Sequence, residues 1–316
     1  MKRCLIMCLM FLFSKTYSQN ISIDFSSDVH PRIFGPGIIS DGFDNRDMAI
    51  SPDNKDMFFT IQYRFGPFSV IMHSKKEDTK WTTPEVALFS GNYNDLEASF
   101  TPDGKRIYFS SNRPLPGNEK RNDYNIWYVE KEGNTWGKPV NAGTIINSEK
   151  DEFFPYVTIS GNIYFTRDND SAKDDIFCAE FVNGQFSSPM PLPETVNSKS
   201  YDFNAYVDPR EEFLIFSSYQ RGDDKGGDLY ISIRKDGKWQ TARNLGNDIN
   251  SPNLDYSPFV SYDRKYLFFT SRRMLINFPL TGKKNIKEIK KILSGPGNGS
   301  EDIYITNFSI LKDFFH

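Results

Sequence analysis

An all-β ring of five four-stranded blades is the fold class this sequence predicts, on three observations. An aromatic and β-branched stretch recurs five times, at Met57-Phe58-Phe59-Thr60, Ile107-Tyr108-Phe109-Ser110, Ile163-Tyr164-Phe165-Thr166, Leu214-Ile215-Phe216-Ser217 and Leu267-Phe268-Phe269-Thr270, with starts 50, 56, 51 and 53 residues apart. Self-similarity at a period near fifty residues marks stacked supersecondary units. The composition agrees: 15% of the 316 residues are aromatic and 38% are hydrophobic, which suits pleated, half-buried strands. Finally, the repeat is out of phase at its ends, with a strand to spare at the start and one missing at the finish. Closing a ring with the first strand removes both loose edges.

Each unit reads as four antiparallel strands bounded by Asp, Gly, Asn and Pro turns. In the clearest unit the first strand is Asp255 to Ser261, the turn is Tyr262-Asp263-Arg264, and the aromatic second strand is Tyr266 to Ser271. Third strands follow at Val70-Ile71-Met72, Asn125-Ile126-Trp127-Tyr128, Asp175-Ile176-Phe177, Asp228-Leu229-Tyr230 and Asp302-Ile303-Tyr304. Fourth-strand pieces are Pro31 to Ser40, Pro84 to Ser90, Pro139 to Asn147, Pro189 to Asn197 and Ala242 to Asn250. The first of these precedes every other strand, and only Phe308 to His316 follow the last third strand. Residues 31 to 40 should therefore close the fifth blade beside Ile303 to Thr306. A six-bladed β-propeller is the alternative, and only Ile21-Ser22-Ile23 is left to seed a sixth unit. Residues 285 to 293 depart from the repeat. Ile286, Ile289, Ile292 and Leu293 have helical spacing, predicting a short inserted helix at the rim of the last blade, either a lid or a surface packed on the blade.

Residues 1 to 18 read as a signal peptide, with Lys2 and Arg3, an apolar run from Cys4 to Phe13, and Thr16-Tyr17-Ser18 at the cleavage site. Ten apolar residues are too few to span a bilayer, which takes about 20. The expected mature chain, 19 to 316, is one propeller domain with no membrane span, a monomer, exported to the periplasm or secreted. It keeps one cysteine, Cys178, which reads as a small buried hydrophobe and not a nucleophile. Lys and Arg total 38 against 41 Asp and Glu, so no basic surplus exists to neutralise nucleic acid.

Thr101-Pro102-Asp103-Gly104-Lys105 ahead of Ile107 to Pro114, and Ile249-Asn250-Ser251 ahead of Asp255-Tyr256-Ser257-Pro258, carry a family likeness. The chain resembles the TolB-type, WD-like β-propeller repeat of exported bacterial proteins over residues 31 to 308. That resemblance implies an interaction module of the periplasm or outer membrane, although propellers also host hydrolases. Unit 3 departs from the pattern with Ile159-Ser160-Gly161-Asn162 in place of the Pro-Asp-Gly-Lys turn, and unit 4 with Pro209-Arg210-Glu211-Glu212.

Aligned by unit, Asp95, Glu152, Asp202 and Asp255 share one position just before the first strand, and Asn45 holds the fifth place. Two roles fit. They form an acidic collar at the channel mouth that binds a cation or a positively charged peptide end, or each secures its own blade through turn N–H groups or the Arg after a second strand, such as Arg113, Arg167 or Arg272. Their repetition favours the second. Acids outside the pattern are Glu97, Asp123, Asp168, Asp170, Asp223 and Asp224. Asp168-Asn169-Asp170 is similar to the opening of a calcium loop but lacks the sixth-place Gly and twelfth-place Glu. No Gly-x-Ser-x-Gly elbow or His-x-x-x-His pair occurs, so no catalytic residue, metal site or cofactor is expected. Trp81, Trp136 and Trp239, with Phe186 in the remaining unit, read as packing between blades. The function expected is non-enzymatic binding of a protein, peptide or cell-envelope component. The alternative is a carbohydrate-active hydrolase with two non-equivalent carboxylates in a central pocket.

Overall fold

A computed structural model describes residues 21–25, 29–64, 66–115, 117, 122–168, 173–222, 226–276 and 279–315. The expected signal peptide, and Asp170, Asp223 and Asp224, lie outside the described residues. Five antiparallel sheets stand around a central channel. Their inner strands are Asp44–Ile50, Asp95–Phe100, Glu152–Val157, Tyr201–Val207 and Asp255–Val260. Each touches the inner strands of the blades before and after it, and the fifth touches the first, so the ring is closed. Second strands are Asp56–Tyr63, Arg106–Ser111, Ile163–Asp168, Phe213–Tyr219 and Tyr266–Ser271, and third strands are Phe68–Glu77, Asn125–Glu132, Asp174–Ala179, Asp228–Lys235 and Asp302–Asn307.

The outer strands are shorter than the sequence suggests. Glu85–Val86, Val140–Asn141, Met190–Pro191 and Arg243–Asn244 pair with their third strands over two residues each. Beyond Arg243–Asn244 the chain turns, with Asn250 N–H donating to Gly246 O at 2.8 Å. A side chain then continues the ladder. Asn250 Oδ1 accepts from Leu229 N–H at 2.9 Å and its Nδ2 donates to Leu229 O at 3.1 Å. Asn147 does the same for Ile126, and Asn197 for Ile176. The third-strand carbonyl also takes a backbone N–H of the outer segment, from Leu245, Ala142 or Leu192, so it is the third-strand N–H that the asparagine satisfies in place of a strand.

The fifth blade is completed from the other end of the chain. Arg32 pairs with Ile305 and Ile33 with Tyr304, and Phe34 N–H donates to Ile303 O at 2.8 Å. Ser40 takes the asparagine's part, accepting from Ile303 N–H at 3.0 Å through Oγ. Phe34 and Ile39 are fully buried, and Phe34 meets Phe268 edge to face at 5.1 Å. No sixth blade forms at Ile21: its N–H and C=O bond to Trp81, and Phe25 lies on Phe34 and Trp81. Trp136 reaches Phe58 of the previous blade and Trp239 reaches Tyr164, so these indoles do pack between blades. Phe186 meets Phe181 within its own hairpin and packs against the cluster of Tyr108, Ile126, Ile146, Ile163, Phe165 and Ala179 that blades 2 and 3 share.

The insertion between the second and third strands of the fifth blade holds the helix Ile286–Leu293, started by a capping box between Asn285 and Glu288. None of its residues is buried. The insertion rests on the segment entering blade 1. Gly42, at φ +96°, lies beneath it, where a Cβ would stand 2.3 Å from Ser294 O, and Asn298 Nδ2 donates to Gly42 O at 3.1 Å.

Candidate functional site

The start of each inner strand, the end of each second strand and the start of each third strand lie at the same end of the ring, here the mouth face. Asp95, Glu152, Asp202 and Asp255 open the inner strands there, and all four are fully buried. Each meets an arginine at the end of the second strand or just past it: Arg113 on Asp95 at 2.5 Å, Arg167 on Glu152 at 2.8 Å, Arg221 on Asp202 at 3.3 Å and Arg273 on Asp255 at 2.8 Å. Sequence reasoning named Arg272 for the last pair. That residue pairs with Glu301 instead, at 2.6 Å. Every clamp arginine also donates to a carbonyl of the preceding turn, Phe89, Ile146, Val196 or Ile249.

The same guanidinium lies over two aromatic rings that are partners across the sheet: Phe109 and Trp127, Phe165 and Phe177, Phe216 and Tyr230, or Phe269 and Tyr304. Arginine suits the place because its flat, weakly hydrated cation stacks while its edge donates. Blade 1 lacks the acid and one ring of the stack together, with Asn45 for the carboxylate and Met72 opposite Phe59. Only the turn contact survives there, Asp41 N–H to Asn45 Oδ1 at 3.1 Å, matching Ser148 on Glu152 and Ser251 on Asp255.

Two residues further along, every inner strand carries a β-bulge whose residue has positive φ: Asp47, Glu97, Phe154, Asn204 and Ser257. At four joints the bulge N–H donates to a hydroxyl on the second strand of the previous blade: Asp47 to Thr270, Glu97 to Thr60, Asn204 to Thr166 and Ser257 to Ser217. The fifth joint differs. Glu97 Oε2 is interposed, accepting from Phe154 N–H at 2.8 Å and from Ser110 Oγ at 3.2 Å. Its Oε1 takes Arg46 Nη2 at 2.8 Å and Asn204 Nδ2 at 3.4 Å, and Asn204 donates on to Ser257 Oγ at 2.8 Å. Arg46 also holds Asp47 at 2.8 Å and lies over the Tyr256 ring. One polar network therefore joins all five blades across the channel. Burial, helped by Asp47, pushes the Glu97 carboxyl up to about 7 against the pull of Arg46.

Above this network is a cavity of about 420 Å³, walled by Phe153, Phe203, Tyr124 and Tyr256 with Arg272 and Asp174 at its edge. Asp174 is pushed up to about 7 by burial and by Asp168 beside it. A larger cavity, about 680 Å³, opens on the opposite face around Asp103, Arg106 and Ile159, away from the charged network. Glu97 stood out in the sequence as breaking the repeat. Arg46, Asn204 and Ser257 did not; the one signal was that the bulge position, which Arg46 directly precedes in blade 1, holds a different residue in every blade.

The exposed aromatics divide unevenly between the faces. Phe43, Tyr63, Phe68, Tyr93 and Tyr219 lie at strand ends on the mouth face, whereas Phe181 alone among the described exposed aromatics lies on the other. Cys178 is half-buried, and burial pushes its thiol up to about 12, far from a nucleophile's range.

No family model and no curated protein matches the chain. Among solved structures it is similar to TolB from Acinetobacter baumannii, at 14% identity and TM-score 0.46 over 83% of this chain and 54% of that one. Putative TolB from Agrobacterium tumefaciens is 14% identical, TM-score 0.49, over 83% and 90%. A puromycin-hydrolyzing peptidase of Mycobacterium tuberculosis is 11% identical, TM-score 0.40, over 72% of this chain and 34% of that one. The likeness is one of fold. The chain spans about half the length of the Acinetobacter protein and a third of the peptidase. No helix among the described residues is long and apolar enough to cross a membrane.

Proposed function

We propose that this protein is a non-enzymatic propeller of the cell envelope that binds a protein or peptide partner across its mouth face, with partner side chains entering the cavity above Arg46 and Glu97. The observation that carries this reading is the gathering of Phe43, Tyr63, Phe68, Tyr93 and Tyr219 on that one face. Rigid aromatics beside arginines are what the centres of protein interfaces are enriched in. Glycoside hydrolysis is supported less. Glu97 spends its four acceptor positions on Arg46, Asn204, Ser110 and the Phe154 N–H, leaving none to serve a substrate. In the same reading Asp95, Glu152, Asp202 and Asp255 hold the blades and do not themselves meet the ligand.

The test is a pull-down from an envelope fraction with the tagged protein, its Phe43→Ser/Tyr93→Ser/Tyr219→Ser variant, and Phe181→Ser as a control for the opposite face. Capture of the same partner should fall at least about tenfold in the triple variant and stay unchanged in Phe181→Ser. Equal capture by all three proteins overturns the reading.

A further inference from the structure

The insertion in blade 5 has a surface unlike the rest of the molecule. Lys283, Lys284, Lys287, Lys290 and Lys291 fall within eleven residues that hold a single acid, Glu288, in a chain whose net charge is −3. Glu288 is engaged at the helix N-terminus, where it accepts from Asn285 N–H at 2.8 Å. At about 100° per residue, Ile286, Leu293 and Lys290 fall within about 60° of one another, with Lys287 beside them. Ile286 is 71% exposed and Leu293 58%, while Met274 and Leu275 on the adjoining strap are each 54% exposed. Ile289 and Ile292 are half-buried and continue the same apolar stripe, so the helix rests on the molecule along one edge of that stripe and leaves the other edge, Ile286 and Leu293, bare.

We infer that this insertion docks on an anionic lipid bilayer. A short helix with apolar side chains flanked by lysines, and with low net hydrophobicity, lies in the membrane interface with its apolar side among the acyl chains and its amines at the headgroups. The charge argument selects the lipid: a surface of phosphate groups complements five lysines, whereas a neutral apolar partner would leave them unmatched. Because the insertion joins a second strand to a third, it stands on the mouth face, and docking turns the channel mouth toward the bilayer. The inference is independent of what the mouth itself binds.

The experiment is co-sedimentation of the full chain with vesicles of phosphatidylglycerol and phosphatidylcholine in equal parts, and with phosphatidylcholine alone. Binding is expected to the first and not to the second, and to weaken between about 0.1 and 1 M salt as the Debye length shrinks from about 10 to 3 Å. Lys287→Ala/Lys290→Ala should lower partitioning about 25-fold, from about fivefold, or about 1 kcal/mol, per lysine. Ile286→Ser/Leu293→Ser should release the protein as well. All four side chains are exposed, so an unchanged Tm certifies the fold of each variant. Absence of sedimentation, equal binding to phosphatidylcholine, or indifference to both double variants overturns the proposal. Binding to polyglutamate as tight as to the anionic vesicles, and unaffected by Ile286→Ser/Leu293→Ser, would assign the face to an acidic protein instead.

Discussion

Ile33 and Tyr304 are register partners in one antiparallel pair, so the seam of the ring is hydrogen bonding between the two ends of the chain. Deleting residues 19–44 should lower the melting temperature of the whole ring in a single transition, because the loss opens the closure and exposes Phe34's partners. Phe34→Ala alone should cost about 3 to 5 kcal/mol, as for a large aromatic removed from a full core. An unchanged melting temperature in the truncation would mean that the seam contributes nothing to closure.

The clamps offer a graded series. Asp95→Asn, Glu152→Gln, Asp202→Asn and Asp255→Asn each keep a hydrogen-bonding group but remove the charge facing a stacked arginine, at about 1 to 2 kcal/mol each. The corresponding Ala variants should cost about 3 to 5 kcal/mol, since a buried cation is left alone. Asp202 should be the mildest, its arginine contact being the longest at 3.3 Å. Denaturant midpoints decide: stability that holds or rises on neutralisation would mean crowded like charge, the behaviour of a ligand-binding collar.

Glu97 should make stability depend on pH near neutrality. Its carboxyl is raised by burial to about 7 in the folded chain, from an ordinary 4.5. A raised acid favours the fold while protonated, so its contribution is complete below about pH 4.5 and is lost as pH rises through 7. The change is on the order of 3 kcal/mol. Unfolding curves between pH 4.5 and 8 should show this slope in the wild type and lose it in Glu97→Gln, whatever constant offset the substitution brings.

Asp56 gives the opposite sign at lower pH. Burial works to raise its carboxyl, but the hydrogen bond from His73 Nε2 at 2.8 Å, the charge of that ring and Lys131 at 3.5 Å outweigh it and leave it below 3.8. A depressed acid stabilises above its unfolded value and fails as pH falls through its folded one. His73→Phe, which keeps the ring stacked on Phe58 at 4.3 Å, should remove on the order of 1 kcal/mol at pH 5. The difference from wild type should shrink away as pH falls through the carboxyl's lowered folded value. A difference that stays constant as the carboxyl is protonated would trace the effect to packing.

Much of this was written in the repeat. The aromatic second strands keep their period because each must fill the same space between blades, and the surplus piece at Pro31 marked the closure. The short outer strands were not legible, because Asn147, Asn197 and Asn250 read as turn residues while their amides do a strand's bonding. The arginine of the last clamp was misread because Arg272 and Arg273 are adjacent, and only the geometry past Ser271 says which one turns inward. The channel network was hidden for a different reason. Arg46, Glu97, Asn204 and Ser257 come from four blades, so no local pattern links them.

The seam also sets an order in time. A chain made from its N-terminus produces Arg32 and Ile33 ahead of the other strands of the ring and their partners, Asp302–Asn307, after all of them. Phe34 and Ile39 have no blade to enter until then, and the fifth sheet is assembled in one late event and not blade by blade. Those two side chains stay without their blade until Asp302–Asn307 has been made.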